Sequence, residues 1–329
     1  FALSGDVGGQ QLSGGGTLVA APGGGGEVRG LAVKLGANSL EGALSIDRAF
    51  RPSGTITFSL PDIAPLAALA LLDASGAGRG SIRLDVVDDR SVATVDALVD
   101  HFSASGVQAG EVRINANVAN YLIAPELGGA ASAGRIIASS TEMRDVSLSL
   151  VQQAGWTRFE GALTADGIPV SAEGRARYAE GRATVELAAA EVRPSGLPVR
   201  LAAPTRLVWA DGALALDGFT VSAAGGTATA SGRAGASALD LSIDLASLPA
   251  SVVNSFAPGL DAGGTLSGRA RVTGSASAPV VSFDARLAGG AIAQTRAAGF
   301  GAMDVTANGS FSGGSLHFEG RVGDGSGLG

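Results

Sequence analysis

Several kinds of residue are scarce in this sequence, and each scarcity excludes a class of protein. There is no cysteine, which excludes disulfides and thiolate metal sites. Aromatic residues make up 5% of the 329 residues, too small a supply for a dense core of large side chains. Lys34 is the only lysine, and the formal net charge of -7 argues against nucleic acid as a partner. Charged residues are 16% against 46% hydrophobic residues, which argues against disorder.

Long apolar segments are scarce as well. The charge-free apolar run beside a helix signal, Ile63–Leu72, is too short to span a bilayer. No segment has the basic, apolar and small-residue zones of a signal peptide, and the first residue is not Met. We expect the chain to be an internal segment of a longer protein.

Residues that carry chemistry are equally few. The two histidines, His101 and His317, lie in polar stretches, and neither has a nucleophile motif beside it. No G-x-S-x-G, G-x-G-x-x-G or Walker motif occurs, although serine and glycine are abundant. The sequence therefore predicts no enzyme, no cofactor and no metal site.

One pattern is abundant, the strict alternation of apolar and polar residues. For example, Leu266, Ala270 and Val272 alternate with Arg269 and Arg271. A period of two is typical of β-strands that have one apolar and one polar face. We predict that the apolar residues of these runs line one common face: Ile56, Phe58, Leu60, Ile82, Leu84, Val86, Val112, Ile114, Val118, Val146, Leu148, Leu150, Val170, Leu239, Leu241, Ile243, Leu266, Val272, Val281, Phe283, Leu287, Leu316 and Phe318.

Short turn signals separate the alternating runs. Asp-Gly or Asn-Gly pairs occur at 166–167, 211–212, 217–218 and 308–309, and such pairs readily supply the positive φ of tight hairpins. We therefore predict an all-β fold of roughly 20 antiparallel strands. The strands should form one continuous sheet segment over residues 1–329.

Two places break the alternation and predict short helices near 62–73 and 249–257. Asp62 is a candidate N-cap for the first helix. At an offset of 188 residues, Ser59–Arg83 and Ser247–Arg271 share nine identities, including the Ser-Leu-Pro that precedes each helix. The helices therefore mark a long repeat, which indicates an extended object.

The segment SFAPGLDAGGTLSGRARVTGSASAPVVSFDARLAGG, Ser255–Gly290, resembles the recurrent phrase of the TamB-like (translocation and assembly module) proteins. These belong to the AsmA-like group of bridge-like lipid-transfer proteins. The most specific part is F-A-P-G-L, followed by G-x-L-S-G and A-x-V-x-G. The similarity is strong over 245–295. The segment NYLIAPELGG, Asn120–Gly129, is similar in composition.

The resemblance implies an elongated sheet curled into an open, taco-like groove with an apolar interior. It implies a place in the periplasm of a Gram-negative bacterium, between the inner and outer membranes, with phospholipid acyl chains as the cargo. The further partners implied are the inner membrane, through an N-terminal anchor outside this segment, and a BamA-like outer-membrane protein, TamA. On this basis we expect the two helices to sit at the groove, with Leu69, Leu72, Val252 and Phe256 facing inward.

Three alternatives remain open at this stage. The same groove could act as a chaperone or scaffold in outer-membrane protein and autotransporter assembly, by pairing an exposed strand edge with a client strand. An extracellular β-helix adhesin would instead show short coil-length repeats and few hairpin signals. An ordinary sandwich would bury the apolar face against a second sheet.

Overall fold

The computed structural model describes residues 1–123, 125–255 and 257–323. The chain divides into two compact units, Phe1–Gly167 (unit 1) and Ile168–Gly329 (unit 2). The described residues contain 22 strands and two short α-helices. All of the strand pairs described are antiparallel, as in Ala74–Val87 with Arg90–Ala104 or Gly263–Ser275 with Ala278–Ala291. The predicted all-β antiparallel fold with two short helices is confirmed, although the second α-helix does not lie where it was predicted.

In unit 1 each strand pairs with the next along the chain. Its elements are β1 (Ala2–Val7), β2 (Gln10–Ala20), β3 (Gly26–Leu35), β4 (Asn38–Ile46), β5 (Pro52–Leu60), α1 (Ala64–Leu69), β6 (Ala74–Val87), β7 (Arg90–Ala104), β8 (Val107–Ala119), β9 (Glu126–Ala138), β10 (Thr141–Gln153) and β11 (Trp156–Ala165). The alternating runs and short turns of the sequence thus fold as successive hairpins.

Unit 2 has the same hairpin order with one variation. Two short strands, β14 (Val199–Leu201) and β15 (Thr205–Ala210), both pair with β13 (Arg182–Val192) on one side and β16 (Ala213–Ala223) on the other, so they share one position in the sheet. The strands are β12 (Ile168–Ala179), β13 (Arg182–Val192), β14 (Val199–Leu201), β15 (Thr205–Ala210), β16 (Ala213–Ala223), β17 (Gly226–Gly235), β18 (Leu239–Pro249), β19 (Gly263–Ser275), β20 (Ala278–Ala291), β21 (Met303–Ser312) and β22 (Ser315–Gly323). The helix α2 comprises Ala293–Ala297, and 3-10 turns occupy Pro194–Gly196, Ala250–Ser255 and Pro258–Leu260.

The predicted turns have mixed outcomes. Asp211 and Gly212 both have positive φ, 52° and 70°, and join β15 to β16 as predicted. The turn prediction at 217–218 is wrong, because Gly218 (φ 65°) lies at a β-bulge inside β16. The prediction at 308–309 is also wrong, because both residues pair within β21. The Asp-Gly pair at 217–218 thus forms a bulge and the Asn-Gly pair at 308–309 a close cross-strand contact, although both pairs are also typical of turns.

The predicted helices are shorter in the structure. Ile63 is the N-cap of α1, and Asp62 instead accepts a hydrogen bond from the backbone N–H of Ala64 at 3.0 Å. The second segment is a 3-10 turn from Ala250 to Ser255 rather than an α-helix. Its two adjacent β-branched residues, at 252 and 253, disfavour a helix, and Phe256 lies outside the described residues. The helix α2 was not predicted.

Very few side chains are buried. The buried hydrophobic residues are Leu35, Ala93, Ala133 and Ala223, and no large side chain among the described residues is fully buried. The accessible surface is 19339 Å². Two separate compact proteins, each half of this mass, would together expose about 14,800 Å² by the usual scaling with mass. The excess of about 4,500 Å² means that the sheets lack a covering layer.

Candidate functional site

In each unit the strand register aligns apolar residues into continuous rows. Directly opposed residues on antiparallel neighbours point to the same face, so a row can be followed from strand to strand. One row crosses all eleven strands of unit 1. It consists of Leu3, Gly14, Val33, Leu40, Phe58, Gly80, Ala97, Ile114, Ala131, Leu148 and Gly161. At a strand spacing of about 4.8 Å, this row is about 48 Å long.

Unit 2 has a row of the same kind across ten strands. It consists of Ala176, Val185, Leu207, Leu216, Gly232, Leu241, Val272, Val281, Phe311 and Leu316. A neighbouring row runs from Ala230 to Phe318 through Ile243, Ala270 and Phe283. We call the side that carries these rows the apolar face of each unit, and the other side its polar face.

All the residues predicted to line one face do share the apolar face of their own unit. In unit 1, Ile56 lies opposite Ile82, and Val118 lies opposite Ala93. In unit 2, Leu266 lies opposite Leu287. The remaining predicted residues follow from these by alternation along their strands, including Val170, which is six residues before Ala176. Most are half-buried, and Leu148, Leu316 and Phe318 are exposed.

Aromatic rings on this face lie over glycines. Gly80 is opposite Phe58, and a Cβ at Gly80 would lie 2.7 Å from the Cζ atom of the Phe58 ring. Gly309 is opposite Phe283, and a Cβ there would lie 2.9 Å from that ring's Cζ atom. Each glycine, having no side chain, therefore leaves the space that the ring on the neighbouring strand occupies.

On the polar face, ion pairs join side chains of neighbouring strands. In unit 2, Arg269 lies 2.9 Å from Asp244, and Arg271 lies 2.9 Å from Asp240. The backbone N–H of Gly289 and then Arg286, at 3.0 Å, lower the pKa of the Asp304 carboxyl. These charges are exposed and paired, so they keep this face in water and contribute little to stability.

The helix α1 covers a cavity of about 390 Å³ at one end of the unit 1 apolar face. Leu66 and Leu72 line it from the helix side, while Leu60 and Phe102 line it from the sheet. Of the residues expected to face inward, Leu72 lines the cavity and Leu69 does not, and both are exposed, at 63% and 59%. Val252 is half-buried.

The residues that could act in catalysis or bind a metal are dispersed over the described part of the chain. His101 and His317 are both exposed, on β7 and β22. Over the ranges 1–123, 125–255 and 257–323, no three metal-ligating side chains come together. Within the same ranges, no helix has the length and apolarity needed to cross a membrane.

Some features of the site were missed at the sequence level. The Phe-over-Gly contacts depend on register, which alternation alone does not give. The exposed aromatics Tyr178 and Trp209 carry a signal in sequence, because each stands just before a hairpin turn, and that position was not used.

Comparisons of this chain with protein-family models, with curated proteins and with solved structures found no match.

Proposed function

We propose that the apolar faces form an open groove that binds phospholipid acyl chains and lets them move along the sheet. The observation that carries this proposal is the pair of unbroken apolar rows, eleven strands long in unit 1 and ten in unit 2, with little side-chain burial over them. Hydrocarbon would supply the missing layer, at about 0.8 kcal/mol for each buried methylene.

Movement along such a face is easy for a physical reason. A chain that shifts by one strand exchanges one set of apolar contacts for an equivalent set, so no position is a deep trap. The small residues in the rows, such as Ala97 and Ala131, leave room for the hydrocarbon. The resemblance of Ser255–Gly290 to TamB-like proteins supports phospholipid as the cargo. It also supports the periplasm as the location, and the inner membrane and a TamA/BamA-like protein as partners.

The test is lipid occupancy of the chain purified without detergent, measured by native mass spectrometry and lipid extraction. Val272→Asp, Phe283→Asp and Leu287→Asp each place a carboxylate against the hydrocarbon, at a cost of about 2–4 kcal/mol. We expect lipid occupancy to fall in all three while circular dichroism shows the fold retained, since an open face lets water hydrate the carboxylate.

The matched control is Ser282→Asp, one residue before Phe283 on the polar face and opposite Arg271. It should leave lipid occupancy unchanged. If the three apolar-face variants unfold, the face is covered as in a sandwich and the open groove is wrong. If Ser282→Asp loses as much lipid as Phe283→Asp, the assignment of faces is wrong.

A further inference from the structure

The chain has two tryptophans and two tyrosines, and each lies in, or within two residues of, a connection between strands. In unit 1, Tyr121 lies in the β8–β9 connection and Trp156 follows the β10–β11 turn. In unit 2, Tyr178 precedes the β12–β13 turn and Trp209 precedes the β15–β16 turn. Because antiparallel strands alternate in direction, the two connections within a unit lie at the same end of its sheet.

In unit 2, the tyrosine and the tryptophan are both exposed to solvent, with 77% of Tyr178 and 51% of Trp209 accessible. Both belong to one row of the apolar face. That row continues through Ala183, Leu214 and Ala234, and it is the last row of the apolar face before the β12–β13 and β15–β16 turns. We call this margin of unit 2 the aromatic end. The two rings are two strands apart, about 10 Å at the usual strand spacing.

Charged residues at the aromatic end lie in the turns and on the polar face. Arg182, beside Tyr178's partner Ala183 in β13, is on the polar face by alternation along the strand, and Arg233 lies 3.9 Å from Asp211 in the β15–β16 turn.

Tyrosine and tryptophan have an apolar ring and a polar tip, and they concentrate where hydrocarbon meets water. We propose that unit 2 binds phospholipid in one orientation, with the acyl chains on the apolar rows and the glycerol and phosphate at the aromatic end. Tyr178 and Trp209 mark the boundary between hydrocarbon and water. This orientation rests on the proposed function and adds to it a direction, with the headgroup at one end of the sheet.

Trp209 can report the orientation directly. In a Trp156→Phe background it is the only tryptophan, and its fluorescence is read with phosphatidylcholine carrying a nitroxide either on the headgroup or near the end of one acyl chain. We expect stronger quenching by the headgroup label. A reporter at the opposite end, Phe300→Trp in the Trp156→Phe/Trp209→Phe background, should show the reverse preference, since Phe300 is also exposed there.

The outcomes separate the orientation from the groove. Stronger quenching of Trp209 by the chain-end label, with lipid bound, overturns the orientation and leaves the groove intact. Equal quenching by both labels also overturns the orientation. An absence of quenching together with an absence of bound lipid overturns the orientation and the proposed function.

Discussion

At the scale of single residues, glycine decides how close two strands and a ring can come. Gly80 has Phe58 across one strand pair and Ala97 across the other, so it is enclosed on both sides. A Cβ there would lie 2.3 Å from the Asp96 carbonyl oxygen, which is backbone and cannot move aside. The close packing of Phe58 on the apolar face therefore depends on a glycine, which has no side chain and adds no apolar area itself.

The first prediction concerns this enclosed glycine. Gly80→Ala should destabilise the protein by about 1–3 kcal/mol, because the added methyl group overpacks the contact with Phe58 and the backbone. Gly110→Ala is the matched control in β8, where the nearest atom is 3.8 Å from the added Cβ. It should be neutral or slightly stabilising. Urea unfolding of both variants measures the difference, and equal midpoints would contradict the close contact.

Ionisable residues on the polar face add a dependence on pH. Hydrogen bonds from Arg135 and then Arg144 lower the pKa of the Glu142 carboxyl below its ordinary value of 4.5. A carboxyl whose pKa is lower in the folded state stabilises the fold above its unfolded pKa. That contribution is lost as the pH falls through the folded value.

Glu142→Gln should therefore reduce the loss of thermal stability as the pH falls below about 4.5, because the paired carboxylate is no longer there to be protonated. The measurement is the melting temperature of both proteins between neutral and acid pH. Glu160→Gln, on the polar face of β11, is the control and should keep the slope of the unaltered protein. A slope for Glu142→Gln that matches the control would contradict the prediction.

At the scale of elements, one side chain bridges the two ends of the segment between β18 and β19 by hydrogen bonds. The Asn254 side chain donates to the Ala262 carbonyl oxygen at 3.0 Å and accepts from the Ala262 N–H at 2.7 Å. This pair of bonds takes the place of the α-helix that the sequence predicts near 249–257. The loop keeps its shape through this side chain together with backbone hydrogen bonds from the Ala257 N–H to the Val253 carbonyl oxygen and from the Leu260 N–H to the Ala257 carbonyl oxygen.

Asn254→Ala removes both bonds and should cost about 1–3 kcal/mol of local stability. Faster hydrogen exchange and faster proteolysis confined to 250–262 are expected, with the flanking strands unchanged. Ser251→Ala, an exposed position in the same segment, is the control. Equal exchange rates in the two variants would show that Asn254 does not hold the loop.

The predictability of this fold differs between its elements for physical reasons. Alternation is a local property, so the strands and the shared face of Ile56, Phe58 and Leu60 follow from sequence alone. A helix of six residues has little intrinsic stability, so its bounds depend on tertiary contacts that sequence does not show. Asp217 and Gly218 illustrate the same limit, because a bulge and a turn need the same backbone conformation.

At the scale of the whole molecule, the exposed apolar surface sets the thermodynamics of unfolding. Unfolding raises the heat capacity mainly by exposing apolar groups to water. A chain of 329 residues ordinarily shows an increase of about 4–5 kcal/mol/K on that basis. Here the native state already exposes about 4,500 Å² more than two compact units would.

Calorimetry should therefore give a heat-capacity increase lower than the ordinary value by up to about 2 kcal/mol/K, if the excess surface is apolar. Loading the purified chain with phospholipid should raise the melting temperature, because a ligand that binds only the native state stabilises it. An ordinary heat-capacity increase in the lipid-free chain would show that the apolar faces are covered.

The register rows have a consequence for how the chain can change in length. A whole hairpin inserted between two others adds two steps to every row and leaves the facing of all later strands as it was. A single residue inserted inside a strand without a compensating bulge turns the rest of that strand over, so that its charged side chains meet the apolar rows. Duplication of hairpins is thus a tolerated route of growth, whereas small insertions belong in the turns.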